Sequence, residues 1–456
     1  MRTKIMAIVA AASLCATASA QTNTRSGYFL DNYNYGYELN PAFGNEMNFV
    51  SIPVLGNINV GMRGNLHVTD IYHVVDGKTV LFTNPDVSSS FLKDMPDVAK
   101  LGADLKVNLL SGGWKAWGGY NTVTINATAH VDLGVPKEFM RLAKEGISNR
   151  TYDITDMRVM ANAYTEIALN HSRDIKQVPG LRIGAAVKFL IGMANVDMNF
   201  KKAQLSLGQD AWTATTNAEI LANVGKTKFK TKFDKDGREY VDGVDVNSVG
   251  PNGFGMAFDL GAAYKWRDFD FSLGLLDLGW ISYFNTAKAS TNGDQTINTD
   301  AYTFNADDKA DNSFSKEWKN MRNDLEKLYQ LDDCGNVGTR NAGLAATINV
   351  GVGYTLPYYR RLKFGVLNTT RILSGATWNE TRISANVKPV DCFGASANFV
   401  VGTYGCAFGW MANYYGKGFS IYLAMDNTLG KLSKEGIPLN SNASFSLGMC
   451  VPFGSK

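Results

Sequence analysis

Four histidines, His67, His73, His130 and His171, are all the imidazole that this 456-residue chain offers to acid–base or metal chemistry. None stands in the H-E-x-x-H spacing that puts two ligands and a base on one helix face. No serine sits in G-x-S-x-G, and no G-x-x-x-x-G-K-[ST] is present to cradle a phosphate. The small cluster Ser111-Gly112-Gly113 precedes Trp114 and reads as a turn between strands, without the strand-to-helix setting of a phosphate loop. Asp and Glu are scattered, with no spacing that argues a paired acid and base. Asp234, Asp236, Asp242 and Asp245 admit a calcium-loop reading. The Gly and closing Glu of the EF-hand register are missing, however, and a turn at Asp236-Gly237 with a solvated face is the plainer reading. Cys334, Cys392, Cys406 and Cys450 form no C-x-x-C, their spacing suits no metal, and they allow three disulfide pairings among which the sequence does not choose. Barrel enzymes can assemble a site only in three dimensions. With no motif to start from, the expectation is a protein that is not an enzyme, with no catalytic residues, metal or cofactor.

The elements that would have to position any chemistry are strands. Over Ala257 to Trp266 the residues Phe258, Leu260, Ala262, Tyr264 and Trp266 alternate with Ala257, Asp259, Gly261, Ala263 and Lys265. This period of two is that of a strand with two unlike faces. After a turn at Arg267-Asp268, Phe269, Phe271, Leu273 and Leu275 resume the apolar face opposite Asp270, Ser272 and Gly274. The same grammar runs through Leu181 to Ile191, Ile348 to Leu356, Leu362 to Val366 after the turn 357–361, and Phe419 to Met425. Alternation sustained over about ten residues is the signature of a transmembrane β-strand, in which every second side chain meets lipid. Phe258, Leu260, Tyr264, Trp266, Phe269, Phe271, Leu273 and Leu275 are therefore expected to face lipid. A soluble β-sandwich also alternates, but its strands usually run about five or six residues.

Composition agrees with a barrel. There are 45 Gly and 20 Tyr against 11 Pro, and the mean hydropathy of −0.14 is too polar for a bundle of spanning helices. Beyond the first residues no segment reaches the ~18 continuous apolar residues of a spanning helix. Met1-Arg2-Thr3-Lys4, an apolar stretch from Ile5 and Ala18-Ser19-Ala20 occur in the order of a secretory signal peptide, expected over 1–20. A first buried helix, or a lipoprotein signal at Cys15, are the alternatives; Leu14 is out of place for the latter. Removing Arg2 and Lys4 leaves 43 basic against 42 acidic residues, too even a balance for a nucleic-acid partner.

Two segments read as surface helices inside loops: Pro136 to Glu145, stopped by Gly146, and Ser315 to Leu331, with Trp318, Met321, Leu325 and Leu328 at helical spacing. Long polar stretches at 197–253 and 285–342 are expected to protrude as extramembrane loops. The last strand sets Phe445, Leu447, Met449, Val451 and Phe453 against Ser444, Ser446, Gly448, Cys450 and Pro452. An alternating C-terminal strand that ends on an aromatic resembles the signal read by the barrel-assembly machinery, although Gly454-Ser455-Lys456 extend past it.

Near the start, Tyr28-Phe29-Leu30-Asp31-Asn32 is followed by Leu39-Asn40-Pro41-Ala42-Phe43. This segment resembles the N-terminus of the long-chain fatty-acid transporter (FadL) family and of the PorV-type barrels of type IX secretion. Further blocks resemble an uncharacterised FadL/PorV-like outer-membrane family of Gram-negative bacteria: Asn84 to Val87, Ala103 to Leu110, Ala116 to Asn121, Val135 to Glu138, Tyr164 to Leu169 and Leu181 to Val196. The resemblance implies an all-β transmembrane antiparallel barrel of about 14 strands over 51–456. It also implies an N-terminal plug over 21–50, with Asn40, Pro41 and Ala42 as plug residues and a plain turn into the first strand as their alternative. It further implies a place in the outer membrane, among its lipid. Two jobs remain open at this point. One is passage or binding of small hydrophobic molecules. The other is a structural or interaction role toward a secreted or surface protein.

Overall fold

The computed structural model describes residues 23–146, 148–207, 212–225, 227–233, 237–246, 250–291, 293–298, 330–373, 375–428 and 442–454. The expected signal peptide, most of the second expected helix (315–329) and Asp234 and Asp236 lie outside the described residues.

Fourteen antiparallel strands close into a barrel, the number the family resemblance implies. The first, β1, is broken into Asn48–Ser51 and Ile58–Gly64. Then come β2 (Val98–Ala116), β3 (Gly119–Pro136), β4 (Arg158–Asp174) and β5 (Leu181–Leu207). β6 (Gly253–Trp266), β7 (Phe269–Tyr283), β8 (Ala346–Thr355) and β9 (Leu362–Ile372) follow. β10 (Trp378–Val390), β11 (Phe393–Gly402), β12 (Gly405–Gly416), β13 (Phe419–Met425) and β14 (Ala443–Phe453) complete the wall. Each strand pairs with the next, and β14 pairs back onto both pieces of β1, with Val50 opposite Val451 and Val60 opposite Phe445. Closure leaves no edge strand, so the ladder satisfies the wall's backbone groups throughout.

The two ends differ. At one end six hairpins join the strands through short turns, and the chain enters β1 and leaves β14 there. At the other end five of the seven connections are long, and β9 to β10 and β11 to β12 are joined through five and two residues. In the two-residue turn Trp117-Gly118 the φ values of +55° and +71° are the left-handed pair of a type I′ hairpin. The Ser111-Gly112-Gly113 cluster expected as a turn lies instead within β2. Its glycine faces the lumen, where a Cβ on Gly113 would come within 2.5 Å of the Phe49 ring and the Tyr120 hydroxyl. Space, not chain reversal, selects glycine there.

The alternation appears as two faces of unlike chemistry. On β6 and β7, Phe258, Leu260, Tyr264, Trp266, Phe269, Phe271 and Leu273 are exposed on the outside, and Leu275 is half-buried on that side. Between them Ala257, Asp259 and Gly274 are buried toward the lumen. On β14, Phe445, Val451 and Phe453 are exposed outside, with Leu447 and Met449 half-buried in the same row; Ser444, Ser446 and Cys450 point inward.

The stretch 197–253, expected as an extramembrane loop with an alternating charged and aromatic ribbon, is largely strand over its described residues. β5 continues past the barrel wall and pairs with Trp212–Val224, and Thr227–Phe233 forms a hairpin with Glu239–Val246. The alternating charged and aromatic residues of this ribbon suit a two-faced strand as well as those of the wall do, so polarity alone did not mark a loop. The second polar stretch adds Ala287–Ser290 and Gln295–Asn298 to the same protruding sheet. The helix Lys137–Glu145 forms as its pattern predicts. It buries Met140 in an apolar cluster with Met62, Leu66, Phe82, Leu92 and Met95 at the long-connection end. The four described cysteines are free thiols. Among the described residues no three His, Cys, Asp or Glu side chains converge as a metal site.

Gly118→Val places a β-branched residue at φ +71°. The expected loss is about 1–2 kcal/mol, read as a lowered urea midpoint of the refolded protein in detergent.

Candidate functional site

The interior of the barrel is occupied by the chain's own N-terminal segment, residues 23–47. Its sequence is rich in tyrosine, and Tyr28, Tyr33, Tyr35 and Tyr37 are all buried against wall residues Tyr120, Leu367, Met411 and Tyr422. The rings pack edge to face, as aromatic quadrupoles prefer. Tyr33 meets Tyr422 at 5.1 Å and 87°, and Tyr35 meets Phe49 at 5.8 Å. Each hydroxyl brought into this core finds a partner. Tyr35 donates to the Met449 carbonyl at 3.2 Å, Tyr28 donates to Ser272 Oγ at 3.0 Å, and Tyr37 pairs with Thr124 Oγ1 at 3.0 Å.

Asn40, Pro41 and Ala42 sit where this segment touches four strands at once. The Asn40 side-chain amide donates to the carbonyls of Ala262 on β6 and Leu273 on β7, both at 3.2 Å. Its Oδ1 accepts the Ala42 N–H at 2.9 Å, so the Asn-Pro-Ala corner is a local Asx-type turn. Asn170 of β4 donates to the Pro41 carbonyl at 3.3 Å, and Asn349 of β8 donates to the Leu39 carbonyl at 2.9 Å. The segment has little regular structure of its own, and these wall asparagines satisfy the carbonyls that a helix or sheet would otherwise have satisfied.

A row of glycines makes this approach possible. A Cβ on Gly184 of β5 would strike the Pro41 backbone, and one on Gly261 of β6 would strike Asn40. On Gly351 of β8 it would come within 2.7 Å of the Tyr28 ring, and on Gly365 of β9 it would collide with the Phe29 ring. The wall is thus recessed along the path of the segment.

Above this aromatic layer the lumen is laced by ion pairs. Arg25 is buried, 2.7 Å from Glu380 of β10 and stacked over the Trp378 ring at 4.7 Å. The backbone N–H groups of Arg25 and Ser26 donate to the Asp426 carboxylate at 2.7 and 2.6 Å. Lys106 of β2 lies 3.3 Å from Glu38 and 3.4 Å from Glu166 of β4. Lys188 of β5 joins Asp259 at 2.7 Å and Asp277 at 2.6 Å. Those two aspartates flank a bulge where Asp277 adopts φ +60° and the pairing of β6 with β7 shifts by a residue. Arg371 of β9 reaches Asp104 of β2 at 3.7 Å. β9 and β2 are seven strands apart in a ring of fourteen, so this pair spans the lumen.

The packing is not complete. A cavity of about 360 Å³ lies between the segment and the wall at the short-turn end. Tyr28, Phe29 and Phe43 form its inner side, and Ala263, Arg182 and Lys363 stand among its wall residues. Several of its charged groups are partnered. Lys363 bridges Asp31 at 2.8 Å and Asp270 at 3.0 Å, while Arg182 donates to Ser172 at 3.0 Å. Three smaller cavities deeper in the barrel, among the described residues, measure about 20–30 Å³ each. The arrangement offers an aromatic pocket with a polar rim, and its volume falls within the ~300–1,000 Å³ of small-molecule pockets.

Sequence reading singled out Asn40, Pro41 and Ala42 but none of Arg25, Lys106, Asp104, Glu380 or Asp426. Their one local signal is a charged residue on the face opposite the apolar row, as in Asp104-Leu105-Lys106. The outward rows on β6, β7 and β14 stand away from the cavity, except that Tyr264 and Phe271 reach its edge.

Gly365→Leu is expected to drive Phe29 from its seat and loosen the segment, at a cost of roughly 1–3 kcal/mol. Limited trypsin digestion reads this directly. Cleavage after Arg25 should accelerate by about tenfold or more relative to the parent, while Gly243→Ala, on the protruding hairpin where a Cβ meets open space, should leave it unchanged.

The solved structures similar to this chain include a toluene transporter of Pseudomonas putida, TodX, 8% identical with a TM-score of 0.41 over 96% of this chain and 97% of that one. A FadL homologue of Pseudomonas aeruginosa is 9% identical, with a TM-score of 0.40 over 96% of this chain and 100% of that one. A monoaromatic hydrocarbon channel, CymD, is 9% identical, with a TM-score of 0.38 over 93% and 94%. No curated protein matches the sequence. The family model that matches, over residues 41–426, is that of a family of unknown function, DUF5723, and the chain belongs to that family.

Proposed function

We propose that this protein is an outer-membrane barrel that binds small hydrophobic molecules and lets them pass. The observation that carries the reading is the aromatic cavity beside the luminal segment. The channels and transporters similar in fold are named for hydrophobic cargo, which accords with it. An interaction barrel for secretion would be served by a solidly filled lumen, and the cavity speaks against that role.

Membrane placement rests on the outer face. Phe258, Leu260, Phe271, Leu273, Val350, Val366, Ile383, Phe399 and Phe408 are all exposed on successive strands of the wall. A band of that extent is far beyond the apolar patches that a soluble monomer shows to water. Hydrocarbon is the medium that fits it. The mostly long connections at one end against six short turns at the other support a short-turn end in the periplasm and a protruding sheet outside the cell.

Within such a barrel the segment 23–47 acts as a plug. A small apolar molecule gains by leaving water for the faces of Tyr28, Phe29 and Phe43. Passage toward the other end requires the plug to shift, because the ion pairs of Arg25 and the Asn40 corner fill the lumen there. A plug held by many separate hydrogen bonds and few regular ones can open locally.

Two measurements test this. Leu273→Lys sets a charge on the outer face and should destabilise the barrel in lipid vesicles by roughly 2–4 kcal/mol if that face meets hydrocarbon. Val244→Lys, on the protruding hairpin, should change little. Ala263→Phe fills the cavity and should weaken binding of a hydrophobic fluorophore such as N-phenylnaphthylamine by about tenfold. Equal binding by parent and variant, together with equal uptake of fatty acids and aromatic hydrocarbons by a deletion strain and its parent, would sink the transport reading.

A further inference from the structure

We propose that the short-turn rim is a collar that binds the headgroups of anionic phospholipids in the leaflet it meets. The inference rests on the barrel spanning a membrane and is independent of what passes through it. All six turns at this end, which together encircle the barrel, have at least one basic residue in the turn or within three positions of it: Lys115, Lys176, Arg267, Arg361, Lys388 and Lys417. All but Lys388 are exposed. Across 115–119, 173–181, 265–269, 356–361, 388–393 and 416–419 there are nine basic side chains against three acidic ones. The whole chain has 45 basic and 42 acidic residues, so everything outside these turns is net acidic. The positive charge is gathered at one end.

The three acids do not cancel it. Asp268 is taken by Arg360 at 3.2 Å, Asp391 by Arg361 at 3.6 Å, and Asp174 by Arg182, a luminal residue outside these turns, at 3.4 Å. Lys115, Lys176, Arg267 and Lys417 supply the surplus. Arg267 also lies over the outward Trp266 ring at 5.0 Å. Next to the turns stands a tier of exposed aromatics, Trp266, Phe269, Phe393, Tyr414, Phe419 and Phe453. Passing from the wall to the rim, the outer surface is therefore aliphatic and aromatic, then aromatic, then cationic. That is the order in which a leaflet presents hydrocarbon, interface and phosphate.

The distribution also selects the partner. A compact acidic protein would meet a patch on one side of the rim. A basic residue at every turn around the circumference instead complements a surface that surrounds the barrel, which is what a leaflet does. Positive charges this close to an anionic surface act within a Debye length of about 8–10 Å.

The experiment uses the full mature chain reconstituted into vesicles of phosphatidylcholine and phosphatidylglycerol in equal amounts, with retained lipids counted by native mass spectrometry after gentle extraction. The parent should keep phosphatidylglycerol over phosphatidylcholine by about fivefold or more, and high salt present during extraction should erase the preference. Replacing Lys115, Lys176, Arg267 and Lys417 together by Gln should bring the ratio close to unity. The same change at Lys78, Lys93, Lys201 and Lys232, exposed at the other end, should leave it intact. Equal retention by the parent, or an unchanged ratio in the rim variant, overturns the collar. So does a rim variant that keeps its lipids but no longer sediments with purified peptidoglycan, because the partner would then be the acidic cell-wall polymer. Failure of a folded parent to enter vesicles at all would overturn the membrane reading as well, and is seen separately as flotation of empty liposomes.

Discussion

Closure is the constraint from which the rest follows. Once β14 hydrogen-bonds to both pieces of β1, the barrel wall has no free edge. It also encloses a space. With fourteen strands that space is too wide for the inward side chains of the wall to fill alone. The wall of this protein is lined by Asn, Ser, Thr and Gly at positions such as Asn170, Asn349, Ser384 and Gly365, which are small or able to bond to a backbone. They leave room and offer hydrogen bonds, and the N-terminal segment takes both. Its aromatic density follows from the same need. Tyrosine supplies bulk for a wide gap and a hydroxyl for a polar wall, which leucine does not.

The wall could be read from the sequence because its two faces meet different media. Wherever one face is apolar and the other is not, a period of two is imposed locally, as over Ala257 to Trp266, and nothing distant is needed to see it. The strand count came from family resemblance, since no local pattern states how many strands close a ring. Misreadings arose where a residue type serves two purposes. The glycines at 112 and 113 looked like a turn because glycine is the commonest turn residue, yet Gly113 is small to admit Phe49. In the polar stretch 197–253 the alternating ribbon was legible, but the continuation of β5 and its partner Trp212–Val224 were not, because a strand that rises clear of the membrane needs no continuous apolar row.

The interior site could not be read in the same way. Arg25 and Glu380 are 355 residues apart, and Ser26 and Asp426 are 400 apart. Each is an unremarkable charge or backbone group until closure brings β10 and β13 alongside the segment. Asn40 is similar. Its Asx-type bond to Ala42 is local and could be anticipated, but its hydrogen bonds to Ala262 and Leu273 depend on where the ring places β6 and β7.

The buried charges are better understood as specificity than as stability. Removing Arg25, Glu380, Lys188 and Asp259 from water is expensive, and such pairs often return little net free energy against apolar replacements. An apolar lumen, however, would let the plug settle in many registers, because greasy contacts are not directional. A guanidinium that must reach Glu380 while its own backbone N–H reaches Asp426 fixes both the depth and the rotation of the segment. That fixed seat is what leaves a gap of defined shape at the short-turn end instead of a collapsed core. The cavity is therefore a product of the ion pairs above it. Weakening those pairs alters where the plug stands before it alters how stably the barrel folds, because the wall is closed by strand pairing that does not involve the plug.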